Sequence, residues 1–242
     1  MKDVIAIATA NMRAEVDTRR LSSALLAEAQ KMGAKRAATF LAARALLAEM
    51  MYQLFDCSGL PEIVIHPGGK PAFIDNTLPF FNLAHSGDQL LVAMSEAGPI
   101  GCDLEVIRER RGMSALAEAF FSVEENQWLT TEADPLTAFW QLWCQREALL
   151  KQQGQGIWSI DNVSLQPQQQ MFCTTAACTT MLMNSVDNIQ LYHAVSQKTV
   201  LALAVPANVS DIQQWDFSSE SGRLLKVSPL NWQRYQQQRP QG

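Results

Sequence analysis

Apolar and polar positions alternate at the start of this chain, settle into a helical rhythm, and return to short alternating runs. Val4 to Thr9 alternates loosely and predicts a strand. From about Asp17 to Phe55 the chain is rich in Ala, Leu, Glu, Arg and Met, with Gly33 as the one break. That composition predicts two helices, about Thr18 to Met32 and Lys35 to Phe55. In the second, Phe40, Ala43, Leu47, Met50 and Leu54 recur at spacings of three and four and form a core stripe, while Arg36 and Arg44 fall off it. Glu62 to His66, the turn Pro67-Gly68-Gly69 and Lys70 to Phe73 read as a β-hairpin. Phe80 to Ala84 and Leu90 to Ser95 are further strands, joined by the turn chemistry of His85-Ser86-Gly87-Asp88. Pro99-Ile100 then leads into a short buried strand, Gly101-Cys102-Asp103-Leu104-Glu105.

The rhythm then repeats. Ser122 with Glu125 is a capping box that opens a helical block reaching Gln153, Pro135 suits the first turn of a new helix, and Gly154 and Gly156 end it. Ile157 to Leu165, the stretch around Met171 to Met183, Ile189 to Val195 and Thr199 to Val205 read as strands, with Gln166 to Gln170 as a solvated loop. Beyond Pro206 the chain is polar and Gln-rich and reads as a loosely packed tail. Helices followed by strands, twice over, predict an α+β fold: a pseudo-dimer of two similar helix-plus-antiparallel-sheet halves with a cleft between them. The expected division is residues 1–98, residues 99–206 carrying the metal site, and a polar tail, 207–242. Clefts at such interfaces are preferred ligand sites.

Composition narrows the classes. The 242 residues are 48% hydrophobic and 18% charged, enough apolar mass for a true core. A net charge of −5 gives no global case for nucleic-acid binding, so an acidic partner would need a local basic patch. The five cysteines, at 57, 102, 144, 173 and 178, form no C-x-x-C pair and imply reduced thiols in the cytoplasm. The first ten residues are too short an apolar run for a signal peptide, and no stretch is long enough to span a membrane, so no membrane association is expected.

Candidate chemistry sits in two places. On the strand 101–105, parity puts Asp103 and Glu105 on one face and Cys102 and Leu104 on the other. Two carboxylates about 7 Å apart on a strand face repel unless a cation lies between them, and an all-oxygen pair suits Mg²⁺ or Mn²⁺. The plainer alternative is two solvated acids on an edge strand. In the helix 135–153, Trp143, Glu147 and Lys151 are each four apart and share a face. This is either a surface ion pair beside a tryptophan, or a third carboxylate facing Asp103 and Glu105 with a lysine for a phosphate oxygen. Three acids and a lysine around one cation suit phosphoryl transfer. His85 is either structural or a ligand contact, Lys70 a phosphate or purine contact, and the cluster Arg108, Arg110, Arg111 a solvated loop or a dock for an acidic helix.

Taken in order, G-K-P (69–71), F-N-L-A-H-S (81–86), I-G-C-D-L-E (100–105), F-F-S-V-E-E (120–125) and W-C-Q-R-E-A-L-L-K-Q-Q-G-Q-G (143–156) resemble the 4′-phosphopantetheinyl transferase superfamily, in its longer monomeric form. The resemblance implies transfer of 4′-phosphopantetheine from coenzyme A to a serine of an acidic apo carrier protein (acyl, polyketide or peptidyl), with release of adenosine 3′,5′-bisphosphate. It also implies a Mg²⁺-dependent holo-carrier-protein synthase that acts as a cytoplasmic monomer. By matched position Asp103, Glu105 and Glu147 are metal ligands, and Glu147 is alternatively the base for the serine proton. Lys151 meets charge on the pyrophosphate, His85 and Ala84 contact the 3′-phosphate, and Lys70 with Pro71 frames the adenine nucleotide. Three positions depart from the family pattern. Ala84-His85-Ser86 stands for S-H-S, which predicts weakened coenzyme A binding. Arg146-Glu147 stands for K-E. The helix arginine of the family falls near Thr39 or at Arg44. A metal-dependent phosphodiesterase or nucleotide hydrolase built on the same acids is the rival enzyme, and a non-catalytic carrier-binding protein a third reading.

Overall fold

The computed structural model describes residues 4–12, 17–174 and 189–238. Strand β1 (Val4–Asn11) is followed by helices α1 (Ser23–Gln30) and α2 (Ala34–Phe55), a hairpin of β2 (Ile63–Ile65) and β3 (Pro71–Phe73), and strands β4 (Phe80–Ser86) and β5 (Gln89–Ser95). Next come β6 (Gly101–Val106), α3 (Met113–Phe120), α4 (Val123–Thr131) and α5 (Pro135–Gln153), a 3₁₀ segment over Ile157–Asn162, β7 (Val163–Gln166), β8 (Met171–Thr174), β9 (Ile189–Val195) and β10 (Thr199–Pro206). The chain closes with β11 (Asp211–Ser218), β12 (Arg223–Val227) and β13 (Gln233–Gln237).

The strands form a five-stranded sheet ordered β12-β11-β1-β5-β4 and a six-stranded sheet ordered β6-β10-β9-β13-β8-β7, besides the β2-β3 hairpin. In the first, β1, β5 and β4 lie side by side and antiparallel. In the second, β6, β10 and β9 repeat that arrangement. Each half thus places its opening strand against its last strand and packs one long helix on its sheet, as the α+β pseudo-dimer expectation requires. Separate apolar cores lie under α2 and under α5. A third, built from Ile5, Ile7, Ala84 and Leu91 on one side and Cys102, Leu104, Leu201 and Leu203 on the other, fills the seam between the sheets.

Local chemistry sets α5, the helix that matters most for the site. Asp134 accepts from the Thr137 amide (3.1 Å), Pro135 takes the first turn, and Gly154 ends the helix in the left-handed region at φ 69°. The capping box of α4 is formed: Glu125 N–H donates to the Ser122 hydroxyl, and the Glu125 carboxylate accepts from Ser122 N–H at 2.6 Å. Gly101 allows β6 to lie directly on α5, because a Cβ there would stand 2.0 Å from the Ala148 carbonyl oxygen.

Several expectations need correction. The segment after Pro206 is no loose tail. β11 runs parallel to β1, β12 extends the same sheet, and β13 inserts between β9 and β8 in the other. Ile212, Leu224 and Tyr235 are buried there, so pairing with distant strands supplies the order that local pattern lacks. The strand expected from Ile157 begins only at Val163, and α3 is a helix that the residue pattern does not predict. Part of the strand expected around Met171 to Met183, and Cys178, lie outside the described residues. Among the described residues Cys57, Cys102, Cys144 and Cys173 are free thiols, and no helix is long and apolar enough to cross a membrane.

Candidate active site at the seam

The site forms where β4 and β6, the facing edges of the two sheets, meet below the C-terminal half of α5. Side chains of β4 replace a backbone ladder at this edge. Cys102 N–H donates to Asn82 Oδ1 at 2.9 Å, and Val106 N–H to Ser86 Oγ at 3.2 Å. Cys102 and Leu104 face the seam core as strand parity predicts, which turns Asp103 and Glu105 the other way.

Asp103 is buried, with Oδ1 accepting from Lys151 Nζ at 2.6 Å and a buried Oδ2 that has no hydrogen-bond partner among the described residues. Glu105 accepts from the Ser86 hydroxyl at 2.6 Å through Oε2. Burial pushes its carboxyl up to about 7, against the Ser86 hydrogen bond and helped by the Asp103 and Glu147 charges. Glu147 lies 3.7 Å from Lys151 Nζ. Its pKa too is raised, first by burial and then by the Asp103 charge, with Lys151 and Trp143 opposing. Burial works against the Lys151 ammonium, but Asp103 and Glu147 outweigh it and hold its pKa above the usual lysine value. His85, on the other face of β4 from Ser86, is exposed and half-desolvated. Its pKa is lowered by that desolvation and by the Lys151 charge, with Asp103 opposing and Lys35 adding a further push.

Asp103, Glu105, Glu147, Lys151 and His85 are therefore brought together from β6, α5 and β4. Among the described residues, however, no three His, Cys, Asp or Glu side chains already stand as a metal cluster. The Lys151 ammonium, lying against two of the acids, is what now links them. The donor set still fits a hard cation: the Asp103 charge raises the pKa of both Glu105 and Glu147, and Asp103 keeps a buried oxygen with no partner among the described residues.

The remaining expected residues lie differently. Ala84 is buried in the seam core, leaving only its backbone for a ligand. Lys70 donates from Nζ to the carbonyls of Ile100 and Gln152, both at 2.9 Å, so its ammonium caps the end of α5; burial lowers its pKa to about 8. Pro71 opens β3, half-buried opposite Ile65. Arg44, which falls off the predicted stripe, is buried over the Phe40 ring with Glu28 as its charged neighbour, apart from the acid cluster, and its Nε has no partner among the described residues. Arg108, Arg110 and Arg111 are exposed, with Arg110 5.9 Å from the Trp143 ring.

Three residues escaped sequence reasoning. Lys35, at the start of α2, gave no signal as a neighbour of His85. Ser86 reads as part of the turn and of the family match at 81–86 without a role of its own, yet strand parity from Asn82 places it toward β6. Arg146 stood only as a departure from K-E; it is in fact buried, ion-paired with Glu125 and hydrogen-bonded to the Ile160 carbonyl at 2.9 Å. Counting back from the β4–β5 and β9–β10 hairpin closures, Ala8 and Ala10 occupy in the first half the places of Asp103 and Glu105 in the second. The acid pair is thus present once per chain.

A profile of the 4′-phosphopantetheinyl transferase superfamily matches residues 99–204. The chain is 42% identical over 146 residues to the 4′-phosphopantetheinyl transferase AcpT of Salmonella typhi, spanning 60% of this chain and 72% of that protein. It is 40% identical over 126 residues to AcpT of Escherichia coli strain K12, covering 51% and 62%. It is also 31% identical over 206 residues to the uncharacterized protein YieE of the same strain, covering 84% and 80%.

Proposed function

This chain belongs to the 4′-phosphopantetheinyl transferase superfamily, and we propose that it moves the 4′-phosphopantetheine of coenzyme A onto a serine hydroxyl of an acidic apo carrier protein. The observation that carries the reading is the gathering of Asp103, Glu105, Glu147 and Lys151 beside His85 at the seam. In the reaction the serine oxygen bonds to the pantetheine-side phosphorus, the bond from that phosphorus to the bridging oxygen breaks, and adenosine 3′,5′-bisphosphate leaves.

Asp103, Glu105 and Glu147 would hold Mg²⁺, which when bound neutralises pyrophosphate charge and so eases departure of the anionic leaving group. Lys151 stays protonated and meets the charge that grows on the leaving oxygen. Glu147 has its proton affinity raised by burial, which suits it to take the serine proton, directly or through water, if it is not committed as a ligand. Lys35 offers positive charge to the 3′-phosphate and His85, whose pKa is lowered, a ring N–H, with Arg44 a more remote candidate. Lys70 and Pro71 would frame the adenine by stem and ring, since the ammonium of Lys70 is occupied at α5. One chain supplies both sides of this site, so a monomer suffices.

The test is intact-mass spectrometry of several apo carriers incubated with the protein, coenzyme A and Mg²⁺. One phosphopantetheine added per carrier is expected. No gain on any carrier, or cleavage of coenzyme A without a carrier, would overturn the reading in favour of a hydrolase.

A further inference from the structure

We propose that Ser86 is a positioning residue that orients Glu105 for the cation across the seam; this rests on the metal reading above. Ser86 is 5% exposed at the end of β4, and its hydroxyl does two things at once. Oγ accepts the Val106 N–H at 3.2 Å and donates to Glu105 Oε2 at 2.6 Å. A hydroxyl has one proton to give, and the backbone N–H directed at its lone pair leaves that proton for the carboxylate. A separation of 2.6 Å is that of a charge-assisted O–H···O⁻ bond. The side chain is therefore fixed at both ends, by the backbone of the strand that carries Asp103 and Glu105 and by Glu105 itself.

The other acids are treated alike. Asp103 Oδ1 and Glu147 Oε2 are both approached by Lys151 Nζ. Each of the three carboxylates thus has one oxygen steered by a donor of this chain, and for Glu105 that donor is Ser86. Such outer partners of ligating carboxylates set ligand orientation, and losing one typically costs about 10- to 100-fold in metal affinity. Asn82 supplies the internal control. It makes the matching cross-seam bond, to Cys102 N–H at 2.9 Å, and that bond involves no carboxylate.

The experiment titrates the full-length protein with Mn²⁺ and follows free Mn²⁺ by electron paramagnetic resonance, with a thermal melt on each sample. Ser86→Ala is expected to weaken Mn²⁺ binding by about 10- to 100-fold. Ser86→Thr, which keeps the hydroxyl, should restore it. Asn82→Ala should lower the melting temperature and leave Mn²⁺ affinity as in the wild type. Wild-type affinity in Ser86→Ala would overturn the proposal, as would equal weakening in Ser86→Ala and Asn82→Ala, which would mark a general loosening of the seam. A wild-type protein that takes up no Mn²⁺ would instead overturn the metal reading itself.

Discussion

Gly101→Ala tests how closely the helix that carries Glu147 and Lys151 must sit on the acid-bearing strand. A Cβ at this position would lie 2.0 Å from the Ala148 carbonyl oxygen, 2.3 Å from the Gln152 nitrogen and 2.8 Å from the Gln152 Cα. All three are backbone atoms, so no side chain can swing aside. Strand and helix must part by about 1 Å before even a tight contact is reached. Overpacking of a core typically costs about 1–3 kcal/mol. For a chain of this size each kcal/mol lowers the melting temperature by roughly 2–4 °C, which places the expected loss at about 2–12 °C. The chemical cost is larger, because Ala148 and Gln152 adjoin Glu147 and Lys151, and a misplacement of about 1 Å can cost on the order of 100-fold in rate. A circular-dichroism melt and initial rates of carrier modification give both numbers. Gly68→Ala is the comparison: its Cβ would meet the Gly154 oxygen at 2.2 Å, but from an exposed loop that can yield, so a smaller rate loss is expected. A Gly101→Ala protein with wild-type melting and wild-type rate would refute the seating of α5 on β6.

Two further outcomes follow from buried polar groups. His193 accepts from Gln145 Nε2 at 2.8 Å (Nδ1), and burial lowers its pKa to about 4. The unfolded chain takes up a proton below about pH 6.5 that the folded chain refuses, so stability should fall between pH 6.5 and 4 by up to about 3 kcal/mol. Urea midpoints across that range should show the slope, and His193→Gln should flatten it; an unchanged slope would remove His193 as its source. Glu125→Gln strands the buried Arg146 charge and should cost about 3–5 kcal/mol, whereas Glu125→Leu with Arg146→Met should cost less. Equal losses from chemical denaturation would contradict that account.

What could be read from the sequence was what local chemistry decides. The span Pro135 to Gln153 was legible because Asp134, Pro135 and Gly154 mark its ends, and the faces of Asp103 and Cys102 because strand parity is rigid. β11 and β13 were not legible: their partners, Val4 to Thr9 and Gln190 to His193, are remote in sequence, and their glutamines carry little pattern. α3 follows Gly112, with no side-chain cap to announce it. Arg44 falls off the core stripe of its helix, yet the structure buries it with Glu28 of α1 as its charged neighbour. Lys70 carries a family signature, but that its ammonium reaches the Gln152 carbonyl at the end of α5 depends on a turn and a helix some 80 residues apart. Residue types at the site were readable, while their partners depended on how the halves meet.

The most direct measurement counts both products in one vessel, holo carrier by intact mass and adenosine 3′,5′-bisphosphate by chromatography, for wild type and Glu147→Gln. One bisphosphate per modified carrier with the wild type, and neither product from a folded Glu147→Gln, is the predicted result. Bisphosphate released without carrier, or a Glu147→Gln protein working at full rate, would show that the acids at the seam do not perform this transfer.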